Sequence, residues 1–332
     1  MPSGPQHSEP RPLRICSLLP GATEVVAALG LARHLVGISH ECDFPAEVKH
    51  APVMVRPIID QEHMDSREID QTVSCAVADD RPLYALDDAR FREAEPDLVI
   101  TQDLCHVCAV TPSQLQQAIV TLRKAPRVLA LNATSLDGVF TDIERIGHAT
   151  QADDQAKTLT AALRERLHWI RRQVEAEQRV PTVACVEWLD PLYVAGHWVP
   201  EMVEWAGGRD VLGLGQAGVP SERITWDRLI AAAPEILIVM PCGFSIGRTR
   251  RELGRLTSHP DWHRLPAVQH GRVFAVDAVS YFSRPGPRLV QGVEILAAIC
   301  HPSRFNHAIP VGASSLLYAD RDAGPVPGRK DG

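Results

Sequence analysis

Short runs rich in Val, Ile and Leu recur along the chain, and stretches with a helical spacing of apolar residues separate them. Continuous apolar runs of this length are typical of parallel strands that are buried on both faces of a sheet. The helical stretches then form the crossovers that parallel pairing requires. The sequence therefore predicts an α/β fold with parallel central sheets. The seven runs are residues 14–19, 35–39, 97–101, 127–131, 182–187, 236–240 and 273–277.

One long helix is predicted between the fourth and the fifth run. Residues 153–178 contain neither Pro nor Gly, and apolar side chains recur there every three or four positions. Asp153 and Asp154 suit the positive N-terminal end of a helix, and Pro181 prevents its continuation. At 1.5 Å per residue such a helix is ~39 Å long, which exceeds an ordinary crossover in a small domain.

The length of 332 residues fits about two domains, which makes the long helix a bridge between them. We expect a Rossmann-like N-terminal lobe at residues 13–152, a linker helix at 153–179 and a Rossmann-like C-terminal lobe at 180–302. Residues 1–12 are expected to be disordered. Residues 303–332 form a C-terminal extension, which is expected to be largely disordered after residue 318. The alternative is that the helix is a crossover inside one large sheet.

Composition restricts the partners and the compartment. The net charge of −7 and the absence of a Lys/Arg cluster argue against nucleic-acid binding. Pro20, Gly21, Thr23 and Glu24 interrupt the first apolar stretch, so it predicts neither a signal segment nor a membrane-spanning helix. Eight cysteines in such a chain are expected to stay reduced. These features predict a cytoplasmic protein without membrane insertion.

Four cysteines follow predicted strands, where ligands bind in open α/β sheets: Cys42, Cys105, Cys108 and Cys242. Thiolates bind zinc and iron–sulfur clusters, and the spacing of Cys105 and Cys108 lets two sulfurs of one turn reach the same ion. One hypothesis is therefore a metal site made by these four cysteines. In one version of this hypothesis the protein is an enzyme of unknown reaction. Residues that could support it are Glu41, Asp103, His106 and Glu187. The alternative is a redox-active or packed pair of thiols at Cys105 and Cys108.

Aromatic side chains are concentrated after two predicted strands, although aromatics make up only 5% of the chain. Trp188, His197 and Trp198 follow the fifth run, and Tyr281 and Phe282 precede a helix near the C-terminus. Such a concentration suits a flat apolar ligand better than a sugar or a phosphate. The alternative is that these rings cover the sheet ends as core. Fingerprints of common hydrolases, P-loop proteins and zinc proteases are absent, so a binding protein is expected rather than an enzyme.

Several segments carry a family resemblance. They are ICSLLPGATE at 15–24, LG at 29–30, VGIS at 36–39, DFP at 43–45, EPDLVI at 95–100, APEILI at 233–238 and RPGPRLV at 284–290. Together they resemble the vitamin B12-binding substrate-binding proteins of ABC transporters, in the helical-backbone class that also holds iron-siderophore and haem binders. The resemblance covers residues 13–302, and the cysteine-bearing loops mark a signal-less branch.

The resemblance implies two α/β lobes joined by one stiff helix, with a ligand cleft between them. It implies a small-molecule ligand of the cobalamin, corrinoid or tetrapyrrole type, with His197 or His40 as a candidate axial ligand to its metal. It also implies an ABC transporter permease as partner, docked through one acidic residue on each lobe. Ala89, with Asp88 adjacent, stands at the first of these positions, and Asp227 stands at the second. The candidate ligand-binding residues are Pro20, Gly21, Cys42, Asp43, Glu187, Trp188, His197, Trp198, Tyr281 and Phe282.

Overall fold

The computed structural model describes residues 12–102, 111–213, 218–305, 310 and 312–318. It divides the chain into two compact units that are interleaved along the sequence. Unit 1 consists of the chain up to Ile59, Pro82–Leu131 and Arg145–Ala156. Unit 2 consists of Asp60–Arg81, Asn132–Glu144 and the chain from Lys157 onward. The predictions for residues 1–11 and after 318 lie outside the described residues.

The helices alternate with strands through most of the chain. They are α1 (Pro20–Ala28), α2 (Ser66–Ala78), α3 (Asp88–Ala94), α4 (Pro112–Ile119), α5 (Leu136–Thr150), α6 (Asp153–Val174), α7 (Val199–Trp205), α8 (Trp226–Ala232), α9 (Ile246–Glu252), α10 (Gly254–Thr257), α11 (Pro266–Gln269), α12 (Ala278–Tyr281), α13 (Leu289–Cys300) and α14 (Pro302–Phe305). Short 3-10 turns occupy Ala32–His34, Ala46–His50 and Trp262–Arg264. In the described parts of the chain, no helix is both long enough and apolar enough to span a bilayer.

Unit 1 contains a sheet with the strand order β4-β3-β2-β1-β5-β6. Its strands are β1 (Ile15–Ser17), β2 (Leu35–Ser39), β3 (Val53–Pro57), β4 (Tyr84–Leu86), β5 (Leu98–Gln102) and β6 (Arg127–Leu131). The central strand β1 pairs in parallel with β2 on one side and β5 on the other, and β4 alone pairs antiparallel. Cys16, Met54, Phe91 and Val99 are core residues of this unit.

Unit 2 contains a sheet with the order β10-β8-β7-β11-β12-β13, and β9 pairs with the start of β7. Its strands are β7 (Thr182–Leu189), β8 (Leu192–Val194), β9 (Arg209–Asp210), β10 (Glu222–Arg223), β11 (Ile236–Val239), β12 (Val273–Val276) and β13 (Ser314–Tyr318). The three strands β7, β11 and β12 are parallel, and β8, β10 and β13 add antiparallel pairs at the two sides. Ala184, Leu237 and Trp262 lie in its core.

The predicted two-lobed α/β architecture is confirmed, and each of the seven predicted runs contains a strand with at least one parallel neighbour. The long helix α6 begins at Asp153 as predicted and ends at Val174, four residues before the predicted end. Its last buried apolar side chain is Val174, and the backbone N–H of Glu177 then bonds to the carbonyl of Val174 in a tighter turn. The helix therefore ends where its apolar stripe ends. Its role as a linker and the domain boundaries stay predictions.

Candidate functional site

The carboxyl ends of β7, β11 and β12 lie along one edge of the unit 2 sheet because these strands are parallel. We call this the carboxyl edge of unit 2. Trp188 lies near the end of β7, Phe244 follows β11, and Tyr281 ends the short helix after β12. Ligands of open α/β sheets bind outside such edges, at loops that follow the strands. The fold therefore brings the predicted aromatic residues of unit 2 to the place where a ligand is expected.

Trp188 forms a partly buried wall of this edge. Its indole N–H donates a hydrogen bond of 2.9 Å to the carbonyl of Ser66. Its ring meets the Phe244 ring edge to face, with the centroids 5.3 Å apart. The Arg248 guanidinium lies 3.9 Å from the centre of the same Phe244 ring, a cation–π contact. Both aromatic rings are thus held in fixed orientations, and since Phe244 is buried, Trp188 is the ring of this pair that can present a flat surface.

Trp198, Tyr281 and Phe282 form a second group of rings. The indole N–H of Trp198 donates a 2.8 Å hydrogen bond to the carbonyl of Phe282. Phe282 itself is only 3% exposed, so it is mainly a core residue. Gly292 of α13 allows this packing, because a Cβ there would lie 2.4 Å from the carbonyl oxygen of Tyr281. Trp198 and Tyr281 remain partly exposed and are the two rings of this group that a ligand can reach.

Glu187, His197 and Ser221 form a polar group beside the aromatic residues, here called the Glu187 cluster. The Ser221 hydroxyl donates a 2.9 Å hydrogen bond to the Glu187 carboxylate, which also accepts the backbone N–H of Gly196. Burial raises the pKa of Glu187 to about 7. The carboxyl of Glu187 therefore changes charge close to neutral pH.

The backbone at His197 is strained, with φ at +53°. Two hydrogen bonds hold it: the His197 N–H to the Val219 carbonyl at 2.6 Å, and the Gly218 N–H to the His197 carbonyl at 3.2 Å. At Gly196, a Cβ would lie 2.4 Å from the backbone nitrogen of Ser221, so this turn packs too closely for any other residue. Burial lowers the pKa of His197, and within the described residues its Nδ1 is buried without a hydrogen-bond partner. The imidazole is therefore mainly neutral at pH 7.

Helix α2 belongs to unit 2 although it lies between two strands of unit 1 in the sequence. The backbone N–H groups at its start donate hydrogen bonds to acidic side chains. The Ser66 N–H donates to the Glu252 carboxylate at 2.7 Å, and Asp65 and Glu68 form a capping box. Three arginines add ion pairs or hydrogen bonds to the same region. They are Arg67 to Asp190 at 2.8 Å, Arg248 to the Met64 carbonyl at 2.9 Å, and Arg255 to both Asp65 and Asp190. We call this set the arginine clamp, and it fixes the start of α2 against Trp188.

The candidate residues of unit 1 lie after β1 and β2. Pro20 and Gly21 open α1, where Pro is favoured at the first helical position. Thr23 links the two strand ends, since its hydroxyl oxygen lies 2.8 Å from the Ser17 hydroxyl and 3.0 Å from the Cys42 sulfur. Cys42 is therefore a buried, hydrogen-bonded thiol, whereas Asp43 is exposed. The His40 ring lies 5.9 Å from the Tyr84 ring.

The predicted cysteine site receives no support from the described residues. Cys105 and Cys108 lie outside them, as do Asp103 and His106. Cys42 belongs to unit 1, and Cys242 of unit 2 is exposed, with its backbone N–H bonded to the Glu187 carbonyl at 3.0 Å. Among the residues with described positions, no three His, Cys, Asp or Glu side chains are grouped so that they could hold a metal ion.

A cavity of about 840 Å³ lies at the amino edge of the unit 1 sheet, where strands β1, β5 and β6 begin. Its lining includes Glu95, Asp97, Arg123 and Lys124. These charges pair with one another, Glu95 with Arg123 at 3.7 Å and Asp97 with Lys124 at 3.8 Å. Both basic side chains are almost fully exposed. The cavity is thus a solvated depression lined by exposed ion pairs, and the carboxyl edge of unit 2 is the better candidate site.

Sequence reasoning missed Ser66, Ser221 and Phe244. Phe244 follows the sixth apolar run, in the same kind of position as the other aromatic candidates, so the sequence did contain a signal for it. Ser66 and Ser221 carry no such signal, because their partners Trp188 and Glu187 lie 122 and 34 residues away.

Comparison with known proteins places the chain in a family. The family model described as periplasmic binding protein matches residues 15–279. An uncharacterized ABC transporter substrate-binding lipoprotein, YvrC of Bacillus subtilis, is 26% identical over 301 residues, which cover 89% of this chain and 82% of the relative. The vitamin B12-binding protein of Vibrio cholerae serotype O1 is 22% identical over 284 residues, which cover 85% and 86% of the two chains.

Solved structures share the fold. A periplasmic heme binding protein from Pseudomonas aeruginosa has a TM-score of 0.66 at 22% identity, covering 88% of this chain and 94% of that one. The periplasmic vitamin B12 binding protein BtuF of Vibrio cholerae has a TM-score of 0.60 at 20% identity, covering 87% and 97%. Identities at this level show a common fold.

The same comparisons correct the predicted compartment. The expectation of a cytoplasmic protein is wrong, because the relatives are a lipoprotein and proteins described as periplasmic, which work outside the cytoplasm. That expectation rested on the residues that interrupt the first apolar stretch and on the expected reduced state of the cysteines, and neither feature reports the compartment directly. The chain belongs to the periplasmic binding protein family, whose two-lobed α/β fold it has.

Proposed function

We propose that the protein binds a cobalamin-like corrinoid, or a related metal chelate of tetrapyrrole size, and delivers it to an ABC transporter permease. The relatives named above bind vitamin B12 or heme according to their names. These two ligands share one physical class, a flat and mainly apolar macrocycle around a metal. The family membership supports a small-molecule ligand, and the chemistry of the carboxyl edge of unit 2 supports this class.

The observation that carries the proposal is the joint placement of aromatic walls and a neutral histidine on unit 2. Trp188, Trp198 and Tyr281 are partly exposed, and hydrogen bonds fix both indole rings. Rings held in this way favour stacking on a macrocycle, because little side-chain entropy is lost on binding. His197 lies next to Trp198, and its lowered pKa leaves a mainly neutral imidazole that suits a metal. His40 of unit 1 is the other candidate, and Pro20, Gly21 and Asp43 stay predicted contacts.

Two exposed carboxylates are the candidates for docking on the permease. Asp88 is the first residue of α3 in unit 1, and Asp227 lies in the first turn of α8 in unit 2. Each is exposed and close to a helix N-terminus, where a carboxylate is stabilised. We expect them to pair with arginines of the transporter.

Titration calorimetry and visible spectroscopy of the ligand-free protein with cobalamin, cobinamide and heme test the proposal. We expect heat and a spectral shift with at least one of them, and a loss of most of the affinity in Trp188→Ala. His197→Ala is expected to keep part of the affinity and lose the spectral shift, since it removes the metal ligand alone. Trp169→Ala is the matched control, because Trp169 is 44% exposed on α6 and packs edge to face with Phe305. No heat and no shift with any of the three at high micromolar concentration would overturn the proposal.

A further inference from the structure

Several partly buried carboxylates of unit 2 have a cation beside them. Asp190 pairs with two arginines, Glu252 with Arg248 at 3.5 Å, and Glu294 with Arg166 at 2.8 Å. In contrast, the partners of the Glu187 carboxylate within the described residues are the neutral donors Ser221 and Gly196. Any negative charge on Glu187 is therefore left without a compensating charge.

The Glu187 carboxylate also keeps free acceptor positions. A carboxylate offers about four lone-pair sites, and the Ser221 hydroxyl and the Gly196 N–H occupy two of them. The residue is partly exposed and directly precedes Trp188 near the end of β7. The closeness of Gly196 to the 219–221 segment prevents the carboxylate's two donors from moving apart. The remaining acceptor sites are thus presented in a fixed position at the carboxyl edge of unit 2.

An uncompensated carboxylate next to an apolar surface acts on a ligand in two ways. It accepts hydrogen bonds from N–H groups, and a charged acceptor strengthens them. It also repels carboxylates, because like charges brought together in a poorly hydrated place cost several kcal/mol. Corrinoids of the cobalamin type carry side-chain amides around the ring, whereas heme carries two propionates.

We infer that Glu187 determines the specificity of the site, so that it accepts macrocycles with amide groups on their periphery and rejects those with carboxylates. This inference rests on the proposed function. It narrows that function from the whole class of metal macrocycles to its amide-bearing members. Ser221 acts on the ligand only through Glu187 and is a positioning residue.

Two corrinoids with the same ring and metal isolate this effect. Dicyanocobinamide carries side-chain amides, and dicyanocobyrinic acid carries carboxylates at the same positions. Above pH 8, where Glu187 with its pKa of about 7 is charged, wild-type protein is expected to bind the amide compound at least about tenfold more tightly. In Glu187→Gln the ratio of dissociation constants is expected to fall towards one, mainly because the carboxylate compound binds better. Glu222→Gln is the matched control, since it removes one charge next to Ser221 from a carboxylate that pairs with Arg228 at 2.7 Å, and it should keep the wild-type ratio.

The outcomes separate the two claims. If wild-type protein binds neither compound and also fails with cobalamin and heme, the proposed function is wrong. If wild-type protein binds both compounds equally well, or if Glu187→Gln keeps the wild-type ratio, the role of Glu187 is refuted while the proposed function stands. Thermal melting checks that Glu187→Gln is folded. Glu187→Met, which has a similar side-chain volume and no charge, replaces it if it is not.

Discussion

The arginine clamp and the Glu187 cluster lie in the same unit and differ in whether their carboxylates are paired with cations. In the clamp, Asp65, Asp190 and Glu252 each have an arginine partner, and the backbone N–H of Ser66 is satisfied as well. In the cluster, the partners that the described residues give the Glu187 carboxylate are neutral donors, and His197 has a strained backbone. Fully paired groups stabilise the position of α2. Unpaired and strained groups cost stability, and they occur most often at functional sites.

The largest effect should come from the titration of Glu187. Its pKa is raised from 4.5 to about 7, so the native protein holds this proton more tightly than the unfolded chain does. The resulting stabilisation is fully present below pH 4.5 and is lost as the pH rises through about 7. A shift of this size corresponds to up to about 3 kcal/mol. Relative to Glu187→Gln, the wild-type free energy of unfolding is therefore expected to fall by up to about 3 kcal/mol over this range.

Urea unfolding of both proteins at several pH values measures this difference. Comparing the two proteins removes the contribution of groups that titrate in both. A constant difference between them from pH 4 to pH 8 would show that Glu187 titrates normally, and the contrast with the clamp would then lose its electrostatic basis.

The clamp gives the next largest effect. Glu252→Ala removes the acceptor of the Ser66 N–H and the partner of Arg248, whose side chain is only 17% exposed. Leaving a partly buried N–H donor without its acceptor and a partly buried cation without its acidic partner is expected to cost about 2 kcal/mol. Hydrogen exchange of the α2 amides should become faster in the same variant, because the start of this helix loses its anchor.

Glu165→Ala is the control for the clamp. Glu165 also pairs with an arginine, Arg172 at 2.8 Å, but its side chain is 69% exposed. An exposed ion pair of this kind contributes at most about 1 kcal/mol. Equal losses in the two variants would mean that the clamp is an ordinary surface ion pair.

The contrast between the two regions also explains what the sequence could predict. Seven of the strands with parallel neighbours were visible because each is a continuous apolar run, as in residues 236–239, which are all buried. The parallel strands β3 and β9 were not predicted. The short strands β4 and β10 were not predicted, since half-exposed segments of three and two residues have no apolar pattern of their own. Trp188, Trp198 and Tyr281 could be singled out as candidates because aromatic residues are rare in this chain and these three follow strands.

The clamp could not be predicted in the same way. Arg255 and Asp65 are 190 residues apart, and arginines and acidic residues are common along the whole chain. The strain at His197 is also invisible in the sequence, because the histidine replaces the glycine or asparagine that a positive φ usually selects. Local patterns thus predict strands and loops, whereas long-range pairing and backbone strain need the folded structure.

His197→Gly should give the smallest effect on stability and the sharpest separation of stability from function. Glycine adopts a φ of +53° without strain, so the variant is expected to gain up to about 1 kcal/mol, reduced by the greater freedom of glycine in the unfolded chain. It should at the same time lose the spectral shift of a bound corrinoid or heme. Gln151→Gly is the matched control, since Gln151 is exposed, has a φ of +61° and lies far along the chain from the site.

Thermal melting together with visible spectroscopy distinguishes the two glycine variants. A gain in stability in both, with ligand binding changed only in His197→Gly, would show that the strain at His197 is retained for its imidazole. If His197→Gly instead loses stability while Gln151→Gly gains it, packing of the imidazole outweighs its strain. His197 would then belong with the paired residues of the clamp rather than with an uncompensated binding site.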